Sequence, residues 1–234
     1  MADKEESPGE QDDISFLRTG DIVALNCFST SSSKDANREL SEPARMSMCT
    51  EGFGNRMCTL ENVSDKNIPP DIASCMFYID NALSVRALQE MMSAENEMKS
   101  TSGGGGHKTL LYGHAVQLKH VQSEMFLVCL STCSSNDKIA FDVGVKEANT
   151  GEASWWTIHP ASKQRSEGEK VRGGDDVILV SVATERYLHM AFYRSMPLLI
   201  ASFHQTIWSI NSVSSGSVRN RNMGKSFAQT RVTP

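Results

Sequence analysis

The chain has no run of about 18 apolar residues, so nothing in it reads as a membrane-spanning helix. Its start, Met1-Ala2-Asp3-Lys4-Glu5-Glu6-Ser7, lacks the apolar stretch of a secretory signal. It has no basic excess either: the formal net charge of its 234 residues is −5. That sets aside nucleic-acid and heparin binding, which need a basic face. Cysteine is sparse and scattered: Cys27, Cys49, Cys58, Cys75, Cys129 and Cys133. A chain this long builds a core without staples, so these read as buried or half-buried free thiols in a reducing, cytosol-facing setting. Cys129 and Cys133 are followed by no second pair at zinc-site spacing, so no metal site is expected. No His-x-x-x-His pair occurs among His107, His114, His120, His159, His189 and His204, and these are expected on the surface or in turns. His114 and His120 lie six apart and would share a strand face, but two ligands do not make a site.

Catalytic patterns are missing as well. Ser166 and Ser214 lie outside any nucleophile-elbow pattern. No carboxylate pair is marked for acid–base work. The glycines at 103–106 are followed by His107-Lys108-Thr109. A phosphate-binding loop needs glycine directly before the lysine, a strand before the loop and a helix after it. The sequence therefore points to a non-enzyme with no cofactor.

What is present is a repeat. Gly113-His114-Ala115-Val116-Gln117-Leu118 matches Gly174-Asp175-Asp176-Val177-Ile178-Leu179 at an offset of 61 residues. The same offset carries Phe126-Leu127 onto Tyr187-Leu188. A third copy opens the chain at Gly20-Asp21-Ile22-Val23-Ala24-Leu25. Each unit closes on an aromatic-x-Ile triplet: Phe77-Tyr78-Ile79, Trp156-Thr157-Ile158 and Trp208-Ser209-Ile210. Val and Leu two apart share one face of a strand, and each closing aromatic supplies one large apolar anchor. Three units of about four strands each predict an all-β fold, a β-trefoil. One inserted helix is expected at about residues 81–99, from Leu83, Ala87, Leu88, Met91 and Met92, with Asn81 or Ser84 as its cap. Residues 1–13 read as a disordered acidic tail, with six acids against one lysine. Residues 14–214 read as the trefoil. Residues 215–234 read as the truncated, disordered start of a second domain.

The most polar internal stretch is Lys163-Gln164-Arg165-Ser166-Glu167-Gly168-Glu169-Lys170-Val171-Arg172. It connects two expected strands across the rim. It reads either as a solvated loop or as a mixed-charge contact surface, which lends register to a protein interface. Asp175-Asp176 reads as a turn leading into a strand.

At this loop the chain resembles the amino-terminal domain of ryanodine receptors. Residues 151–172 (GEASWWTIHPASKQRSEGEKVR) carry the resemblance, with residues 16–19 (FLRT), 51–56 (EGFGNR), 83–90 (LSVRALQE), 107–113 (HKTLLYG) and 185–189 (ERYLH). It covers roughly residues 14–227 in order. The resemblance implies a β-trefoil in the cytosolic assembly of a homotetrameric calcium-release channel of the sarcoplasmic or endoplasmic reticulum. Such a domain makes contacts with other channel domains and neighbouring subunits that bias the closed state, with no direct membrane contact of its own. Inositol trisphosphate receptors carry a similar first domain. By the same resemblance Ser166, Glu167, Glu169, Lys170, Arg172, Gly174, Asp175 and Asp176 are interface residues. The chain departs from the family pattern at Gly173, expected to soften the start of a strand, and in the long 29–48 loop. It departs again at 192–199, where Pro197 stands at a strand restart, and after Phe227. With no pore, it reads as a fragment, a truncated gene product or a short splice form. The alternative is a sugar- or partner-binding trefoil. Gln205-Thr206-Ile207-Trp208 is one residue longer than the Gln-x-Trp motif of ricin-like modules. Mannosyltransferase-associated and growth-factor-like trefoils fit poorly: the first needs a lumenal setting and a membrane catalytic part, the second a different charge.

Overall fold

The computed structural model describes residues 15–28, 44–63, 71–82, 108–135, 137–147, 151–193 and 196–213. The expected helix, the acidic tail and the last twenty residues lie outside these; Asn81 belongs to a strand. Twelve strands carry the fold. The first unit holds β1 (Ile22–Phe28), β2 (Arg45–Cys49), β3 (Thr59–Asn62) and β4 (Phe77–Asn81). The second holds β5 (Ala115–His120), β6 (Phe126–Cys133), β7 (Phe141–Lys146) and β8 (Trp156–Pro160). The third holds β9 (Asp176–Ser181), β10 (Tyr187–Tyr193), β11 (Met196–Ser202) and β12 (Trp208–Ser212). All pairings between them are antiparallel. The chain is all-β, as its turn-punctuated β-like runs predict.

The outer strands of each unit pair in a closed ring, in the order β1, β4, β5, β8, β9, β12 and back to β1. Closure removes the free sheet edges that would otherwise template aggregation. The inner strands form three hairpins, β2–β3, β6–β7 and β10–β11. These lean on one another: Ile200 of β11 pairs with Asp142 of β7, and Met57 bridges to Gly144. Gly144 permits that approach, because a Cβ there would sit 2.6 Å from the Arg56 carbonyl oxygen. Pro197 does not break β11; it is the second residue of the strand and pairs with Phe192 near the turn end of its hairpin, where a missing N–H is tolerated.

The repeat seen in the sequence is a repeat of hydrogen bonds. Gly20 N–H donates to Ile79 O at 2.7 Å, Gly113 to Ile158 O at 2.8 Å, and Gly174 to Ile210 O at 2.7 Å. Each opening glycine thus closes onto the isoleucine of its own unit. All three are left-handed, at φ 91°, 87° and 90°, which explains glycine at each. Glu124 and Glu185, again 61 apart, both stand at positive φ in matching turns. Val23, Leu25, Val116, Leu118, Val177 and Leu179 are all buried in the core. So are Phe77, Trp156 and Trp208. The Trp156 indole N–H donates to Leu127 O at 3.1 Å, and that of Trp208 to Leu188 O at 3.0 Å. Burying an indole requires such a partner.

One expectation changes. His120 is not a surface residue: it is the third inward position of β5, fully buried, with its ring 5.3 Å from that of Phe77. His114 lies exposed in the turn before that strand, so the two share no site. Gly173 has no special conformation, and a Cβ there would meet Ser212 Cβ at an ordinary 3.6 Å.

Candidate functional site

The rim loop is fixed at several points. Val171 is fully buried and ties the segment down. Leu17 N–H donates to Val171 O at 2.9 Å, and Val171 N–H to Leu110 O at 3.0 Å. Tyr112 N–H donates to Glu169 O at 2.9 Å, and Gly168 N–H to Tyr112 O at 2.9 Å. The loop therefore lies along residues 108–112 and beside residues 15–18, with bridges Phe16–Arg172 and Leu111–Lys170. Lys108 and Thr109 serve this arrangement, Thr109 bridging to Arg18.

Asp175 is the hub beneath the loop. Its Oδ2 accepts from the Arg172 backbone N–H at 2.9 Å and from the Tyr112 hydroxyl at 2.9 Å, while Oδ1 meets an Arg165 amine at 3.3 Å. Burial, then the hydrogen bond to Asp175, hold the Tyr112 hydroxyl well above its ordinary pKa. Asp21 plays the same backbone role in the first unit, accepting from Arg18 N–H at 2.7 Å. Asp175 is thus first a turn cap and anchor. Among the proposed interface residues, Ser166, Glu167, Glu169, Lys170, Gly174 and Asp176 are exposed, and Arg172 and Asp175 are half-buried. Glu167 Oε1 lies 2.7 Å from His159 Nδ1. Lys170 and Arg172 flank the Phe16 ring, at 5.2 and 5.4 Å from its centroid, in the range of cation–π attraction. The structure brings all eight residues to one rim and adds Phe16, Tyr112, His159 and Arg165. The sequence assigns none of these four to the interface: Arg165 stands in the charged run, and Phe16, Tyr112 and His159 in stretches that carry the family resemblance.

Burial pushes the Cys27 thiol up to about 12 and raises Cys58 and Cys129 as well, so these three are inert. Trp208 is fully buried and offers no face for stacking on a sugar, and Thr206 beside it is bonded to His189 Nδ1 at 2.8 Å. No helix among the described residues is long and apolar enough to cross a membrane.

The family model of the inositol 1,4,5-trisphosphate/ryanodine receptor matches residues 12–219. The chain belongs to that family. It is similar to the inositol 1,4,5-trisphosphate receptor itr-1 of Caenorhabditis elegans, at 27% identity over 213 residues. That match covers 88% of this chain and 7% of the relative. The inositol trisphosphate/ryanodine receptor match contains every strand and the whole rim loop. It places the chain among receptors rather than in a family of enzymes.

Proposed function

We propose that this chain is the N-terminal regulatory domain of a ryanodine-receptor-type calcium-release channel. It folds as a β-trefoil over residues 14–214 and sits on the cytosolic face of the sarcoplasmic or endoplasmic reticulum. Family membership supports the channel, and the closed six-strand ring with three hairpins supports the trefoil. The observation that carries the contact role is the rim loop. Its backbone is pinned at Gly168, Glu169 and Val171, while Ser166, Glu167, Glu169 and Lys170 stand exposed above it. A rigid base with mixed charge on top suits a contact that must form in one register. The partners are other domains and neighbouring subunits of the homotetramer. Contacts made only in the closed state bias the pore by their differential free energy.

Lys170 is the residue to test, since its ammonium is exposed and no backbone bond depends on it. In the full-length channel, Lys170→Glu is expected to lower the calcium concentration for half-activation by about fivefold or more, the lower end of a typical coupling. Calcium release from microsomes measures it. Unchanged sensitivity in a normally assembled channel would sink the contact role.

A further inference from the structure

We infer that Cys49, Cys75 and Glu61 form a binding site for a soft divalent cation of the zinc class. The pairing of β2 with β3 sets Cys49 opposite Thr59 and Ser47 opposite Glu61. These four therefore share one face of the hairpin. The other face, with Met46, Met48 and Leu60, enters the main core. A short 3-10 turn, Ile72–Cys75, packs over the first face; Thr50 N–H donates to Ser74 O at 3.0 Å and holds it there. Cys75 arrives from this turn. Cys49 and Cys75 are buried, yet neither belongs to the main apolar cluster.

The two sulfurs and a Glu61 carboxylate oxygen all lie within 4.8 Å of one another. Around a tetrahedral zinc, with bonds of about 2.3 Å to sulfur and 2.0–2.2 Å to oxygen, donor atoms sit roughly 3.5–3.8 Å apart. Closing about an ångström would complete three corners. Glu61 Oε2 is buried and has no hydrogen-bond partner among the described residues. Such an atom carries a desolvation cost that a cation removes. Glu61 is half-buried and Thr59 is exposed, so an ion can reach the site from that side and keep water at its fourth corner. Two thiolates with one carboxylate suit zinc or cadmium and disfavour calcium or magnesium, which take all-oxygen shells. The pair is invisible to spacing rules because Cys49 and Cys75 come from separate elements.

The test is titration of the full 234-residue chain, reduced and without oxygen, with cadmium as probe and zinc as competitor. Thiolate-to-cadmium charge-transfer absorption is expected to saturate at one ion per chain. Cys75→Ser should weaken binding more than about 100-fold, beyond the 10–100-fold typical of outer-shell changes. Glu61→Gln removes a half-exposed ligand and spares the thiols. It should weaken binding about tenfold or more at an unchanged melting temperature, so the answer does not depend on the folding of Cys75→Ser. Cys133→Ser, at an exposed thiol, should bind as the parent does. Equal cadmium affinity in the parent and Glu61→Gln, or no charge-transfer absorption at all, overturns the site. So does a chain that forms a Cys49–Cys75 disulfide under oxidant yet takes up no cadmium when reduced.

Discussion

Replacing Trp208 with alanine is expected to destabilise the domain by about 3–5 kcal/mol, the range for deleting a buried large aromatic. The side chain is fully buried at the start of β12. The loss has two parts. One is the cavity left among the core side chains. The other is the Leu188 carbonyl, which accepts the indole N–H at 3.0 Å and would be left without that donor. β12 also closes the ring by pairing with β1, Val23 to Ser212 through Asn26 to Ser209. Loosening it opens the barrel between its first and last units. Single domains hold only about 5–15 kcal/mol in total, so Trp208→Ala should be largely unfolded in mild denaturant. Trp208→Phe should lose less than half as much, because Phe77 fills the matching place in the first unit without an N–H. Urea denaturation of both variants checks this. Equal losses for alanine and phenylalanine would mean that ring volume is not what matters at this position.

Asp175→Ala is the second large effect, expected at about 2–4 kcal/mol. It strips partners from the Arg172 N–H, the Tyr112 hydroxyl and Arg165 at once. Each neutral bond is worth about 0.5–1.5 kcal/mol, and a buried group left unpaired costs about 1–3. The Arg165 contact adds less, since that side chain is 25% exposed. The strain should be local as well as global. With its anchor gone, the rim loop should be cut faster by trypsin at Lys163, Arg165 and Lys170. Tyr112→Phe, costly alone, should cost close to nothing in the Asp175→Ala background, because its hydroxyl has already lost its acceptor. Fully additive losses would show that the two side chains act independently.

Much of this fold is legible in the sequence because its repeat is written in positions that end up buried. Val-x-Leu marks three inward strand faces, aromatic-x-Ile marks three closing strands, and the glycine before each unit marks a left-handed turn. What is not legible is contact between segments far apart in the chain. Tyr112 reaches Asp175 across 63 residues. Phe16 meets Lys170 and Arg172 only once the first and second units have closed on each other. His120 looks polar among the histidines, yet its strand register turns it inward. Cys129 and Cys133, the pair that spacing suggests, are separated by a register shift in β6, which leaves one buried and the other exposed. Cys49 and Cys75, which no spacing joins, converge. Asp175 reads both as a turn residue and as an interface residue; in the fold the turn cap and the anchor are its evident work, and the charges offered outward belong to its neighbours.

The contact role of the rim loop can be tested most directly by cross-linking. Ser166 is exposed at the crest of the loop. In the full-length channel, Ser166→Cys would be treated with a short thiol-to-amine cross-linker, first at resting calcium and then under full activation. The contact role predicts covalent dimers to tetramers in the closed state and a marked fall on activation. An introduced thiol that is freely alkylated yet yields no covalent oligomer in either state would contradict it.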